Sequence, residues 1–229
     1  MNAHFVPFSA VRDYLRGKRV AVIGGAPSCL DNAPGFIDGH DITVRINNYR
    51  TGPAQGTRCD VFYSFFGGSI KKTPAELKAD GVTLCMAKCP DAKPIESPWH
   101  EKMGKSAGVD FRGIYQARKT WWWCDTFVPD VPHFLRTFEL LDGHIPTTGF
   151  SAILDVLACK PASVYLTGFD GFTSGLHNVN ERWRPGNPED PIGHRPEMEL
   201  AWIAANLGNY PLSVDAKLTT LIRAHRAAA

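Results

Sequence analysis

The chain has 229 residues, 44% of them hydrophobic and 21% charged, and its 25 Lys plus Arg nearly balance 23 Asp plus Glu. That size and composition suit one α/β domain spanning residues 1–229, and the near-neutral balance argues against the broad basic field that nucleic-acid binding needs. No apolar run reaches the roughly 18 residues of a membrane span, and "MNAHFVPFSAVRDYLRGKR" lacks the apolar core of a secretory signal, so the expected location is cytoplasmic.

In chain order, short runs rich in Val, Ile and Phe predict strands near 19–24, 41–46, 60–65, 82–87 and 163–168, with a weaker one near 211–215. Helical spacing of apolar residues predicts helices over "TTGFSAILDVLACK" (147–160) and "PEMELAWIAANLG" (196–208). The alternation points to a mostly parallel sheet flanked by helices. Residues 88–111 and 171–193 are dense in Pro, Gly and polar residues and read as long loops of the kind that form lids or binding loops. The six cysteines are scattered through apolar contexts, with no second close pair to complete a zinc site, and read as buried free thiols.

The first strand runs into a turn, Gly24-Gly25-Ala26-Pro27-Ser28, that leaves the backbone open to a phosphate or a sugar. It matches neither the dinucleotide fingerprint nor a Walker loop, and strand-to-loop punctuation is the equal alternative. Asn47 and Asn48 stand at the carboxyl end of the second strand, where amides suit a nucleotide-sugar or shape a turn. Thr147, Thr148 and Gly149 open a helix and present either an anion site or a plain N-cap. His194 precedes a helix that carries Glu199, and a histidine there can take a proton from a hydroxyl if something orients its ring. Trp121, Trp122 and Trp123 offer an aromatic surface for an acceptor sugar, or a partly buried strand.

These blocks, in this order, resemble the sialyltransferases of glycosyltransferase family twenty-nine. "RVAVIGGAPSCLDNAPGFIDGHDITVRINNYRT" (19–51) is similar to the large sialylmotif, and "IPTTGFSAILDVLACKPASVYLTGFD" (145–170) to the small one. "HRPEME" keeps the very small motif's spacing, and "HNVNE" (177–181) is a loose counterpart of the short His-rich motif. The compact bacterial sialyltransferases of family forty-two share a similar first turn, an Arg-x-Asn second strand and Ile-Gly-His before the late helix.

The resemblance implies a GT-A-like variant of the Rossmann sheet and an inverting transfer of a sialic acid, or the related acidic sugar Kdo, from a CMP donor to a hydroxyl of a glycan or glycolipid. It implies no metal and no cofactor. By that resemblance His194 is the base, His177 steadies the departing phosphate, and Asn47 with the 24–28 turn holds the phosphate and ribose. Thr147, Thr148 and Gly149 hold the cytidine or carboxylate side. Asn48 is a substitute for the asparagine that the families carry at the position of Gly25, and Glu199 belongs to the donor site. Val20 stands at the large motif's cysteine position, so the disulfide to the small motif, where Cys159 sits, cannot form. The expected setting is polysaccharide synthesis at the inner face of a membrane, with weak contact through the basic C-terminal stretch. The alternative function is a non-catalytic or differently catalytic nucleotide-binding protein of the same fold.

Overall fold

The computed structural model describes residues 4–66, 70–90, 124–174, 176–177, 181–182 and 194–228. Helix α1 (Phe8–Leu15) leads into β1 (Arg19–Ile23), β2 (Ile42–Ile46), β3 (Val61–Ser64), α2 (Pro74–Ala79) and β4 (Leu84–Ala87). Then follow β5 (Asp125–Phe127), α3 (Val131–Glu139), α4 (Thr148–Ala158) and β6 (Ser163–Thr167). A short pair, β7 (Leu176–His177) and β8 (Glu181–Arg182), precedes α5 (Pro196–Asn206), β9 (Leu212–Val214) and α6 (Ala216–Ala228).

Seven strands form one sheet in the order β5-β4-β3-β2-β1-β6-β9, and every neighbouring pair is parallel. The pattern of burial explains the continuous apolar runs. Val20 and Val22 of β1 pack into one core with α1, α4, α5 and α6, while Ala21 and Ile23 face the opposite side. Likewise Leu84 and Met86 of β4 join the first core, and Cys85 and Ala87 join a second with Leu77 of α2 and Phe134 and Phe138 of α3. A strand buried on both faces has no polar side to alternate with.

The expected strands are all present, each within two residues of its expected bounds, and the two expected helices form as α4 and α5. The sequence pattern does not announce β5, which is too short to show a period, nor the helices α1, α2, α3 and α6. Within the expected loop 171–193, β7 and β8 pair antiparallel. Among the described residues no helix is long and apolar enough to cross a membrane. All six cysteines are buried and free, with Cys159 Sγ donating to the Asp155 carbonyl at 3.2 Å.

The strand order turns back on itself between β1 and β6, and open α/β sheets bind ligands outside the carboxyl ends of the strands at such a switch point. Here the two strand ends touch. Gly24 N–H donates to the Thr167 carbonyl at 2.8 Å and Ala26 N–H to the Gly168 carbonyl at 2.9 Å. A Cβ on Gly24 would stand 2.3 Å from the Gly168 oxygen, and one on Gly168, whose φ is +75°, 2.6 Å from the Gly24 oxygen. Neither position has room for a side chain. Beneath them Asp215 Oδ2 accepts from the Ser28 and Thr167 hydroxyls, both at 2.9 Å, and from Gly168 N–H at 3.1 Å, while Oδ1 caps α6 through Leu218 N–H at 2.7 Å.

Candidate active site

A cavity of about 480 Å³ opens over this junction, a size ordinary for a small-molecule site. Gly24, Gly25 and Ala26 from the first turn, Asn47 from the end of β2, Thr147, Thr148 and Gly149 from the start of α4, and His194 and Glu199 from α5 and its approach all line it. Sequence positions more than 150 residues apart therefore meet around one space.

Three consecutive residues organise the site. Ile145 O accepts from His194 Nδ1 at 2.8 Å, Pro146 O accepts from Lys88 Nζ at 2.6 Å, and Thr147 gives both of its donors to Glu199. Thr147 N–H reaches Oε1 at 2.6 Å and its hydroxyl reaches Oε2 at 2.8 Å. The same hydroxyl accepts from Phe150 N–H at 3.1 Å, so Thr147 is the N-cap of α4 as well as the contact to α5. With Thr147 and Glu199 closing on each other, the first-turn N–H groups of Thr148 and Gly149 are the ones left at the positive end of the helix.

The Ile145 carbonyl settles the tautomer of His194. It requires a proton on Nδ1, which leaves the Nε2 lone pair as the basic site of the ring. The ring keeps contact with solvent, yet crowding by protein and the charge of Lys88 both disfavour the imidazolium and lower its pKa to about 4; the Ile145 bond opposes this. Burial raises Glu199 to about 7 against the pull of its Thr147 bonds and of Lys88. Lys88 itself is 8% exposed, and burial lowers its pKa.

Asn47 adopts a left-handed backbone, φ 51°, which asparagine tolerates better than most residues. Its Oδ1 accepts from the Ser64 hydroxyl at 3.1 Å and from Phe65 N–H at 3.4 Å, which fixes the amide at the edge of the cavity that Asn47 lines. Its motif partner Arg45 has another task. The wholly buried guanidinium donates to the carbonyls of Arg58, Arg50, Gln55 and Gly56 at 2.6–3.1 Å and so shapes the loop after β2. The cavity's other acid, Asp170, accepts from Phe172 N–H at 2.9 Å and Ser174 N–H at 3.0 Å.

Three of the expected donor residues are not brought to the cavity. Pro27 and Ser28 turn away into a 3-10 helix, where Ser28 is buried against Asp215, because the chain must descend from the glycine turn to reach β2. Asn48 Oδ1 instead accepts from Lys71 N–H at 2.7 Å on the far side of the turn. His177 falls in β7, but its side chain lies outside the described residues, as do Trp121, Trp122, Trp123 and residues 91–111 of the expected long loop. Among the described residues no group of three or more His, Cys, Asp or Glu side chains is placed to hold a metal ion. Lys88 and Asp215 are the contributions that sequence reasoning missed; Lys88 stood only as the first residue of the expected loop 88–111, and the long-range contact to Pro146 is what marks it.

Solved structures share this architecture. A mammalian sialyltransferase, crystallised with Gal-beta-1-3GalNAc-ortho-nitrophenol, superposes with a TM-score of 0.56 at 15% identity, over 89% of this chain and 71% of its own. The sialyltransferase CstII from Campylobacter jejuni, crystallised with cytidine-5'-monophosphate, superposes with a TM-score of 0.53 at 13% identity, over 87% of this chain and 80% of its own. The fold is that of the sialyltransferases. The same Campylobacter protein crystallised with the substrate analogue CMP-3FNeuAc gives a TM-score of 0.50 at 14% identity, over 86% of this chain and 79% of its own. No protein-family model and no curated protein matches the sequence. The resemblance read from the motifs and the likeness of the fold converge on one architecture, and both sides of the expected site, glycine turn and late imidazole, lie on one cavity of it.

Proposed function

We propose that this chain is a glycosyltransferase that moves an acidic sugar, a sialic acid or Kdo, from its CMP-linked donor to a hydroxyl of a glycan or glycolipid. The observation that carries the reading is His194: its ring is held by Ile145 O with Nε2 unpartnered among the described residues, and it lines the same cavity as the glycine turn and the N-terminus of α4.

In this mechanism Nε2 of His194 takes the proton of the acceptor hydroxyl as that oxygen attacks the anomeric carbon. Attack from the face opposite the phosphate displaces CMP in one step and inverts the anomeric centre. The leaving phosphate gathers charge, which the open N–H groups around Gly24–Ala26 and at the start of α4 are suited to receive. CMP leaves as a monophosphate ester, so this chemistry requires no metal. Glu199 acts through Thr147, fixing the cap of α4. The setting that fits the reading is surface-polysaccharide synthesis at the inner face of a membrane, with the basic residues of α6 as a weak anionic-surface contact.

Incubation with CMP-Neu5Ac and with CMP-Kdo tests it. Slow release of CMP from one of the two in the absence of acceptor is expected, and His194→Ala is expected to abolish it. Gly25, standing where the resembling families carry asparagine, favours the second reading, a nucleotide binder without transferase activity. Thermal stabilisation by CMP with no release from either donor would establish that alternative.

A further inference from the structure

Four basic or acidic side chains face the cavity among the described residues: Lys88, Asp170, His194 and Glu199. Both carboxylates are already committed as acceptors, Asp170 to two backbone N–H groups and Glu199 to the two donors of Thr147. The His194 imidazole has spent its N–H on Ile145. Lys88 differs. The residue is 8% exposed, and its ammonium carries three N–H donors, of which one hydrogen bond is made among the described residues, to the neutral carbonyl of Pro146. Among the described residues no carboxylate lies within ion-pair distance of it; Glu199 acts on it only through space.

A buried ammonium without an anion is costly, and a protein that keeps one normally supplies the counter-charge from a ligand. The place is specific. Lys88 leaves the end of β4 and reaches the residue before the N-cap of α4, so its charge adds to that of the helix end at Thr148 and Gly149. It also lines the same cavity as His194, and its charge acts on that ring through space.

We infer that Lys88 selects for negative charge on the donor, pairing with the anionic oxygen group at the sugar's anomeric centre. This rests on the CMP-sugar reading above, and two groups of that donor carry the required chemistry, the sugar carboxylate and the phosphate. Lysine serves here as a point charge with donors to spare, so the two differ only in which lies nearer.

Calorimetric titration of the wild type and of Lys88→Met with cytidine, CMP and CMP-3FNeuAc tests the inference. Lys88→Met is expected to weaken CMP-3FNeuAc by about tenfold or more and to leave cytidine unchanged, since a charge-assisted bond in a buried site is lost. If CMP weakens as much as the full donor, Lys88 holds the phosphate; if CMP is unaffected, it holds the carboxylate. Lys88→Gln keeps a donor for Pro146 while removing the charge, so the same selective loss is expected there, and it replaces the Met variant should that one fail to fold. A purely structural lysine would lower the melting temperature in both variants and leave the ranking of the three ligands intact. Variants that bind all three as the wild type does overturn the inference alone; a wild type that binds none of them overturns the CMP-sugar reading, and the inference with it.

Discussion

His194 Nδ1 and Lys88 Nζ donate to the carbonyls of consecutive residues, Ile145 and Pro146, so an imidazole and an ammonium are both tied to the strip that leads into α4. The ammonium is part of why the ring stays neutral down to about pH 4 without ligand. An anion seated in the cavity near both reverses the sign of that field. The His194 pKa is therefore expected to rise when CMP binds, which in the proposed reaction brings the ring nearer the operating pH where proton transfer is efficient. A titration of the ring resonances by NMR, with and without CMP, checks this; an unchanged or lower value with CMP bound would refute it.

Glu199 carries a pH-dependent cost. Its folded value of about 7 lies above the ordinary 4.5, so the folded state holds the proton more tightly than the unfolded chain. Relative stability is then lost as pH rises from about 4.5 to about 7 and stays lower above that, by on the order of 3 kcal/mol. Glu199→Gln can keep the contacts to Thr147 without the charge, so urea midpoints are expected to match the wild type at pH 4 and exceed it at pH 8. A variant less stable at pH 8 would show that the bonds to Thr147 need the carboxylate.

Gly24→Ala places a methyl carbon 2.3 Å from a backbone oxygen that cannot swing aside. A destabilisation of about 2–3 kcal/mol is expected, at the upper end for overpacking, together with loss of CMP binding. Denaturant midpoint and calorimetry on the same sample measure both, and an unaltered midpoint would contradict the packing described.

Arg45 serves four carbonyls from inside the protein, and its substitution takes a donor from each, among them the carbonyl of buried Gln55. Arg45→Met is expected to lower stability by on the order of 3 kcal/mol or more. Arg45→Lys is expected to recover little, because one ammonium cannot reproduce the planar fork. Equal urea midpoints for the lysine variant and the wild type would argue that the fork is dispensable.

Much of the architecture was legible because parallel strands buried on both faces leave unbroken apolar runs, as Val20–Ile23 and Leu84–Ala87 do. The site was legible where chemistry and local geometry coincide in sequence, at the glycine turn, at Thr147 as an N-cap and at His194 beside a helix start. It was illegible where a role depends on a partner far along the chain. The contact of Lys88 with Pro146 spans 58 positions, and that of Ser28 with Asp215 spans 187. Asn48 and Pro27 misled for the complementary reason: each sits next to a residue that does line the cavity, Asn47 and Ala26, and the backbone turns between them.

The mutual contact of Gly24 and Gly168 leaves the cavity with a floor made of a single joint. Neither strand end can shift to suit a larger or smaller ligand without displacing the other. Adaptation of this cavity to a new ligand is thus confined to the walls contributed by α4 and α5, and a designer wishing to change what it holds would leave the glycines alone and begin there.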